Sequence, residues 1–187
     1  MKVIAGTAKG TILKTPGGLK TRPTSGKVKA AFFNIIGEQV LNTCFLDLFS
    51  GTGGMGIEAL SRGSSYSVFV EKERFCVKII KDNLKKSRFL DKAAVLHNDA
   101  HVALKRLAKQ GFTFDVIYID PPYIYRAISK LIADLDKFNL LVPGGVLGVE
   151  RDSREPIEGI HFLPYSFWQK KRYGNTQLLL FHNVLQK

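Results

Sequence analysis

Four consecutive residues, Asp120-Pro121-Pro122-Tyr123, bring together the groups needed to handle an exocyclic base amine. The two prolines carry no amide hydrogen and fix an extended turn, so the segment offers a ligand acceptors: the Asp120 carboxylate and the Pro121 carbonyl oxygen. An exocyclic amine has two hydrogens to give and a lone pair drawn into its ring. Accepting both hydrogens holds that lone pair toward an electrophilic methyl group, while Tyr123 gives the base a face to stack on. In isolation the tetrapeptide reads as a plain turn leaving a strand; its company argues for chemistry.

That company is the run Asp47-Leu48-Phe49-Ser50-Gly51-Thr52-Gly53-Gly54-Met55-Gly56, in which Gly51, Gly53 and Gly56 fit G-x-G-x-x-G between a strand and a helix. Glu71 stands twenty residues beyond Gly51, where a carboxylate accepts two ribose hydroxyls or, more simply, caps the next helix. Asp99 suits an adenine amino group. A nucleoside cofactor follows, and charge selects among them. Asp47 repels the pyrophosphate of a dinucleotide, no loop lysine answers a phosphate, and the sulfonium and ammonium of S-adenosylmethionine suit a carboxylate. His97 and His101 are split by a strand end and Asp99, so they read as core or surface histidines, and no metal is expected.

Such residues need a sheet edge to stand on. Phe45–Phe49, Ser67–Val70, Ala94–His97, Phe114–Ile119 and Val146–Val149 read as strands. Between them Gly54–Ser61, Arg74–Ser87, Ala100–Lys109 and a stretch near Ile128–Phe138 read as helices, the second with Phe75, Ile79 and Leu84 on its apolar face. The turn Pro143-Gly144-Gly145 introduces the fifth strand. This alternation specifies an α/β fold with a mostly parallel sheet, covered by helices on both faces. His161–Phe167 and Gln177–Phe181 follow without a helix between them and add an antiparallel hairpin, for seven strands in all. Ahead of the sheet, residues 1–42 form an extension: a hairpin of Val3–Ala5 with Thr11–Lys14, a linker Pro16–Pro23, and a helix from Thr24 onward with Thr24 or Ser25 as its cap. Residues 43–187 form the main domain.

Composition limits the partners. The chain has 187 residues, 45% hydrophobic, and a formal charge of +12 from 28 basic and 16 acidic residues, which excludes disorder. Its apolar runs are too short for a membrane helix, and Cys44 and Cys76 lack ligand spacing, so a soluble cytoplasmic chain with free thiols is expected. Residues 1–37 hold seven basic and no acidic side chains, and 166–187 hold four and none, around a nearly neutral centre. Segregation of this kind points to a polyanionic partner; the competing explanation is a solvated surface.

Asp47 to Gly56, Glu71, Asp99 and Asp120 to Tyr123 resemble, in order, the motifs of the Rossmann-like class I methyltransferases, in the form typical of enzymes that act on exocyclic nitrogens. Ile4-Ala5-Gly6, Arg22-Pro23-Thr24, Phe32 to Ile36, Glu58 to Gly63 and Tyr173-Gly174 extend the likeness over nearly the whole chain. In these the chain resembles the bacterial guanine-N2 methyltransferases of small-subunit ribosomal RNA, the RsmD type. The resemblance implies methyl transfer from S-adenosylmethionine to the N2 of a guanosine, within the small subunit or its assembly intermediate, by a monomer. It assigns the chemistry to Asp120, Pro121, Pro122 and Tyr123. Cofactor binding falls to Asp47, Phe49, Gly51, Gly53, Gly56, Glu71, Lys72, Asp99, Ala100 and Asp120. RNA contact falls to Arg22, Pro23 and Thr24 and to Lys170, Lys171, Arg172 and Tyr173. Two other classes compete. A DNA adenine or cytosine methylase shares the tetrapeptide but needs a base-reading module for which this chain has little room. A non-catalytic RNA-binding protein explains the charge but not Asp120 to Tyr123.

Overall fold

Short apolar runs set between amphipathic helices bury their faces as strands of a sheet that helices cover on both sides. The computed structural model describes residues 1–16, 26–122, 128–154 and 164–184. In it these runs are β1 (Cys44–Leu48), β2 (Tyr66–Glu71), β3 (Ala93–His97), β4 (Phe114–Ile119) and β5 (Leu141–Asp152). Helices α1 (Gly26–Ile36), α2 (Gly54–Ser61), α3 (Arg74–Ser87), α4 (Ala100–Lys109) and α5 (Ile128–Lys137) precede and link them. The hairpin β6 (Tyr165–Tyr173) and β7 (Thr176–Asn183) completes one seven-stranded sheet of order β3-β2-β1-β4-β5-β7-β6. β1 to β5 run parallel, and β7 runs against both β5 and β6. This is the mostly parallel α/β sheet with a C-terminal antiparallel hairpin that the alternation predicts.

Parallel strands carry their carboxyl ends to one edge, and here the strand order reverses at β1. Leu48 lies level with Val70 on one side and Ile119 on the other, while Glu71 lies opposite His97. The loop after β1, the end of β2, Asp99 and Asp120 therefore arrive together at the switch point, where open α/β sheets bind ligands.

Helices cover both faces. α4 and α5 bury Leu104, Leu107, Leu131 and Leu135 on one side. On the other, Phe32 and Phe33 of α1 and Met55 and Ala59 of α2 pack on Phe45, Tyr118 and Leu180. Val3 and Leu13 join Ile57, Phe69, Ile80 and Leu84 in a third cluster, so the described part of residues 1–42 shares its apolar contacts with the sheet domain. No described helix is long and apolar enough to cross a membrane.

Three local expectations change. Phe75 is 62% exposed, because at 3.6 residues per turn it sits roughly 140° around α3 from Ile80, the centre of the buried stripe. The fifth strand begins at Leu141, and Pro143-Gly144 forms an exposed irregularity within it instead of a turn before it. The N-terminal hairpin is reduced to a single bridge between Lys2 and Ile12, with Val3 N donating to Thr11 O at 3.0 Å. Its tip is tied to α2 instead: Thr7 N donates to Ser61 O at 2.8 Å and Ala8 N to Ser61 Oγ at 2.9 Å. A Cβ at Gly6 would stand 1.7 Å from the Ser61 carbonyl oxygen, so this approach requires glycine. The expected cap residues Thr24 and Ser25, and His161 at the start of the expected sixth strand, lie outside the described residues.

Candidate active site

The glycine loop is held from below by Asp47, which is 2% exposed and accepts the Gly56 amide hydrogen on Oδ2 at 2.9 Å. Burial pushes its carboxyl up to about 8, opposed by the Gly56 bond and reinforced by the charges of Asp120 and Glu71. The expectation that Asp47 faces a cofactor cation thus meets a buried group that is mostly protonated at neutral pH and already bonded to the loop. Gly56 admits this arrangement because α2 lies directly on β2; a Cβ there would be 2.4 Å from the Phe69 ring.

Glu71 grips the same loop from the side. Its Oε2 accepts from Gly51 N at 2.7 Å and its Oε1 from Glu73 N at 2.8 Å, at the start of α3. The carboxylate therefore orders both loop and helix start. Gly53 N donates to Ser50 O at 2.7 Å, and the fully buried Asn83 donates from Nδ2 to Thr52 O at 3.0 Å. Around the rim, Phe49 is half-buried with φ 65°, Lys72 is exposed and Ala100 is buried. Asp99 caps α4, accepting from His101 N at 3.0 Å.

Asp120 follows β4, half-buried, its amide 3.4 Å from the Leu48 carbonyl oxygen. Its charge acts on Asp47 and on Tyr118, whose buried hydroxyl donates to Glu150 Oε2 at 2.7 Å. Pro121 is half-buried and Pro122 exposed; Tyr123 lies outside the described residues. Glu71 and Asp120 thus bring negative charge to one sheet edge above the largely neutral Asp47, a surrounding that favours a cation and disfavours a phosphate.

The basic residues divide. Lys170, Lys171 and Arg172 are exposed on the edge strand β6, and Arg172 Nε donates to Gly174 O at 3.1 Å. Tyr173 is half-buried against the α1 cluster. Arg22, Pro23 and Thr24 lie outside the described residues. Lys29, one of the seven basic residues of 1–37, is buried: its Nζ lies 2.9 Å from Glu58 Oε2 and donates to Lys2 O at 3.0 Å. Desolvation lowers its pKa, and Glu58 works against that shift.

Glu58 belongs to the stretch that carries the resemblance, but the motif gives it no role. Fully buried, it takes Lys29 and Ile4 N on Oε2, and Arg62 Nε and Ala5 N on Oε1, all at 2.8–3.0 Å. The available signal was a lone charge in α2, a helix otherwise made of small, apolar and hydroxyl side chains. The histidines have structural partners, His97 Nε2 with Lys72 O at 2.9 Å and His101 Nδ1 with Asp134. Among the described residues no three His, Cys, Asp or Glu side chains gather as a metal site.

The family model described as conserved hypothetical protein 95 matches residues 1–182. YlbH of Bacillus subtilis (strain 168) is 41% identical over 182 residues, covering 97% of this chain and 98% of the relative. Ribosomal RNA small subunit methyltransferase D of Escherichia coli (strain K12) is 26% identical over 188 residues, covering 100% of this chain and 91% of that one. Among solved structures, yhhF from Escherichia coli superposes with a TM-score of 0.86 at 25% identity, covering 100% of this chain and 99% of the other.

Proposed function

The chain belongs to that family, and we propose that it transfers a methyl group from S-adenosylmethionine to the exocyclic N2 of a guanosine in small-subunit ribosomal RNA. The observation that carries this reading is the placement of Asp120 beside the loop held by Asp47 and Glu71, at the switch point of the sheet. The site's negative charge fits S-adenosylmethionine, which is cationic at sulfur and at its amine and supplies an activated methyl group. Glu71 would hold the ribose, with Phe49, Lys72, Asp99 and Ala100 around the adenine and Gly51, Gly53 and Gly56 along the chain.

Asp120 and the Pro121 carbonyl would accept the two amine hydrogens and turn the nitrogen lone pair toward the methyl carbon, with Tyr123 stacked on the base. As the nitrogen–carbon bond forms, the sulfur–carbon bond breaks and the sulfur leaves neutral. The alkylated nitrogen becomes strongly acidic and gives its proton to Asp120 or to water, so no strong base is required. The guanine must leave its stack, which costs a few kcal/mol and least in a loop. Residues 1–42 and the β6 cluster would hold the RNA, with the small subunit or its assembly intermediate as substrate and a cytoplasmic monomer as the enzyme.

Incubation with labelled methyl donor and naked ribosomal RNA, small subunits or DNA, followed by identification of the modified nucleoside, tests the reading. N2-methylguanosine in small-subunit RNA is expected; methylated adenine or cytosine in DNA would replace it. Asp120→Ala should lower the rate by about a hundredfold or more while cofactor affinity falls far less, since Asp120 borders the cofactor but serves chiefly the amine. Full turnover in that variant would reduce the tetrapeptide to a turn.

A further inference from the structure

The nearly neutral centre of the chain conceals a strongly basic surface. From Arg74 to Arg88 there are six basic residues and one acidic residue. Arg74, Lys78, Lys81 and Lys85 follow one another at intervals of four, three and four, which places them in a single line along α3. All four are exposed, because Cys76, Val77, Ile80 and Leu84 turn the opposite face into the core. Among the described residues none of the four has an ion-pair partner. Asp82, the acidic residue of the helix, is taken by Lys14 at 2.9 Å, and its pKa is lowered chiefly by that lysine, with Lys78 and Lys85 adding to the effect.

Charges within α3 account for only part of this pattern: Lys85 stands in the last turn, where the helix dipole favours a cation, and Asp82 lies one turn from both Lys78 and Lys85. Arg74/Lys78 and Lys81/Lys85 are like charges one turn apart, and Arg74 stands at the positive end of the helix dipole. Phe75, 62% exposed, flanks the row and helps line a shallow depression with Arg74, Val77, Lys78 and Lys81. The row starts three residues after Glu71, so its first members stand at the rim of the site. The leader adds Lys14 alongside it and Lys86 donates to Ile12 O at 2.7 Å, so the basic surface is continuous across the two elements.

We infer that this face of α3 is an RNA-binding surface, with Lys78, Lys81 and Lys85 on successive phosphates and Phe75 stacking on an unpaired base at the site end. It rests on the proposed action on ribosomal RNA and adds to it a contact surface away from both chain ends. Uncompensated cations around an exposed aromatic ring match what single-stranded RNA presents: regularly spaced anions and flat bases.

The test measures binding of a labelled small-subunit ribosomal RNA transcript across a salt series for three proteins: wild type, the triple variant K78Q/K81Q/K85Q on α3, and K105Q/R106Q/K109Q on α4. The two variants remove the same charge from exposed helix positions on opposite faces of the sheet. The α3 variant should flatten the slope of log affinity against log salt by about 2 to 3 units, with the α4 variant near wild type. A photoreactive residue at position 75 should cross-link the RNA, and one at the comparably exposed Val102 should not. Equal slopes for the two variants, or equal cross-linking at both positions, would overturn the surface. Methyl transfer by the wild type is scored separately, so loss of the functional reading and loss of this surface cannot be confused.

Discussion

Glu71 and Gly51 are joined by a 2.7 Å hydrogen bond from the loop amide to a carboxylate oxygen at the end of the neighbouring strand. The other oxygen holds Glu73 N, so one side chain orders the glycine loop and the start of α3 before any ligand arrives. A ribose bound here would meet an acceptor whose position is already set, which reduces the ordering cost of binding.

Replacing Glu71 by Ala removes the ribose acceptor and both structural bonds. Affinity for S-adenosylmethionine should fall by about 1 to 3 kcal/mol. Glu71→Gln, which keeps one acceptor oxygen, should lose less. Titration calorimetry reads both; unchanged affinity in the Ala variant would remove Glu71 from the cofactor site.

Asp47 gives a prediction in pH. Its folded pKa, about 8, lies above the unfolded value of roughly 3.9, so folding favours the protonated form. The contribution to stability is then fully present below about pH 4 and is lost as pH rises through about 8. Asp47→Asn keeps an acceptor for Gly56 N but does not titrate. Urea unfolding at pH 5 and pH 8 should show the variant gaining on wild type at the higher pH. A stability difference that stays constant with pH would mean that Asp47 is ionised throughout.

Glu58 predicts a stability effect with a specific rescue. Glu58→Ala leaves Lys29 buried beside Lys2 O with no counter-charge and frees two leader amides, and should cost about 3 to 5 kcal/mol. Removing both charges in K29M/E58A should cost less than E58A alone, because the stranded ammonium is gone. Denaturant midpoints decide it: a double variant weaker than the single one would mean that the pair contributes little beyond packing.

Where hydrophobic period and punctuation agree, the sequence is legible. Ala100–Lys109 is set by apolar spacing with Asp99 before it and Gly111 after it, Arg74–Ser87 by apolar spacing alone, and both match the structure. The same holds for the positions of Glu71, Asp99 and Asp120, since a parallel sheet must bring strand ends together. Contacts distant in sequence were not legible. Nothing local shows that Glu58 reaches Ile4 and Ala5, or that Asn83 bridges Lys14 and Thr52. Averaging charge over the central segment also hid the α3 row, because acidic residues elsewhere cancel it in sequence but not in space.

The exposed β6 cluster supplies the last prediction. Lys170, Lys171 and Arg172 lie on the strand at one edge of the sheet, while α3 packs beside β2 and β3 at the other, with the site between them. If the cluster holds phosphates, changing all three residues to Ala should flatten the salt slope of RNA binding by about 2 units and leave cofactor affinity unchanged. Because the two basic surfaces are far apart, combining this variant with K78Q/K81Q/K85Q should give a slope change near the sum of the two. Salt-dependent binding of all four proteins to one RNA measures this. A slope that does not move would make the β6 charges a solvated edge that keeps an exposed strand from pairing with other chains, a common use of lysine at such positions.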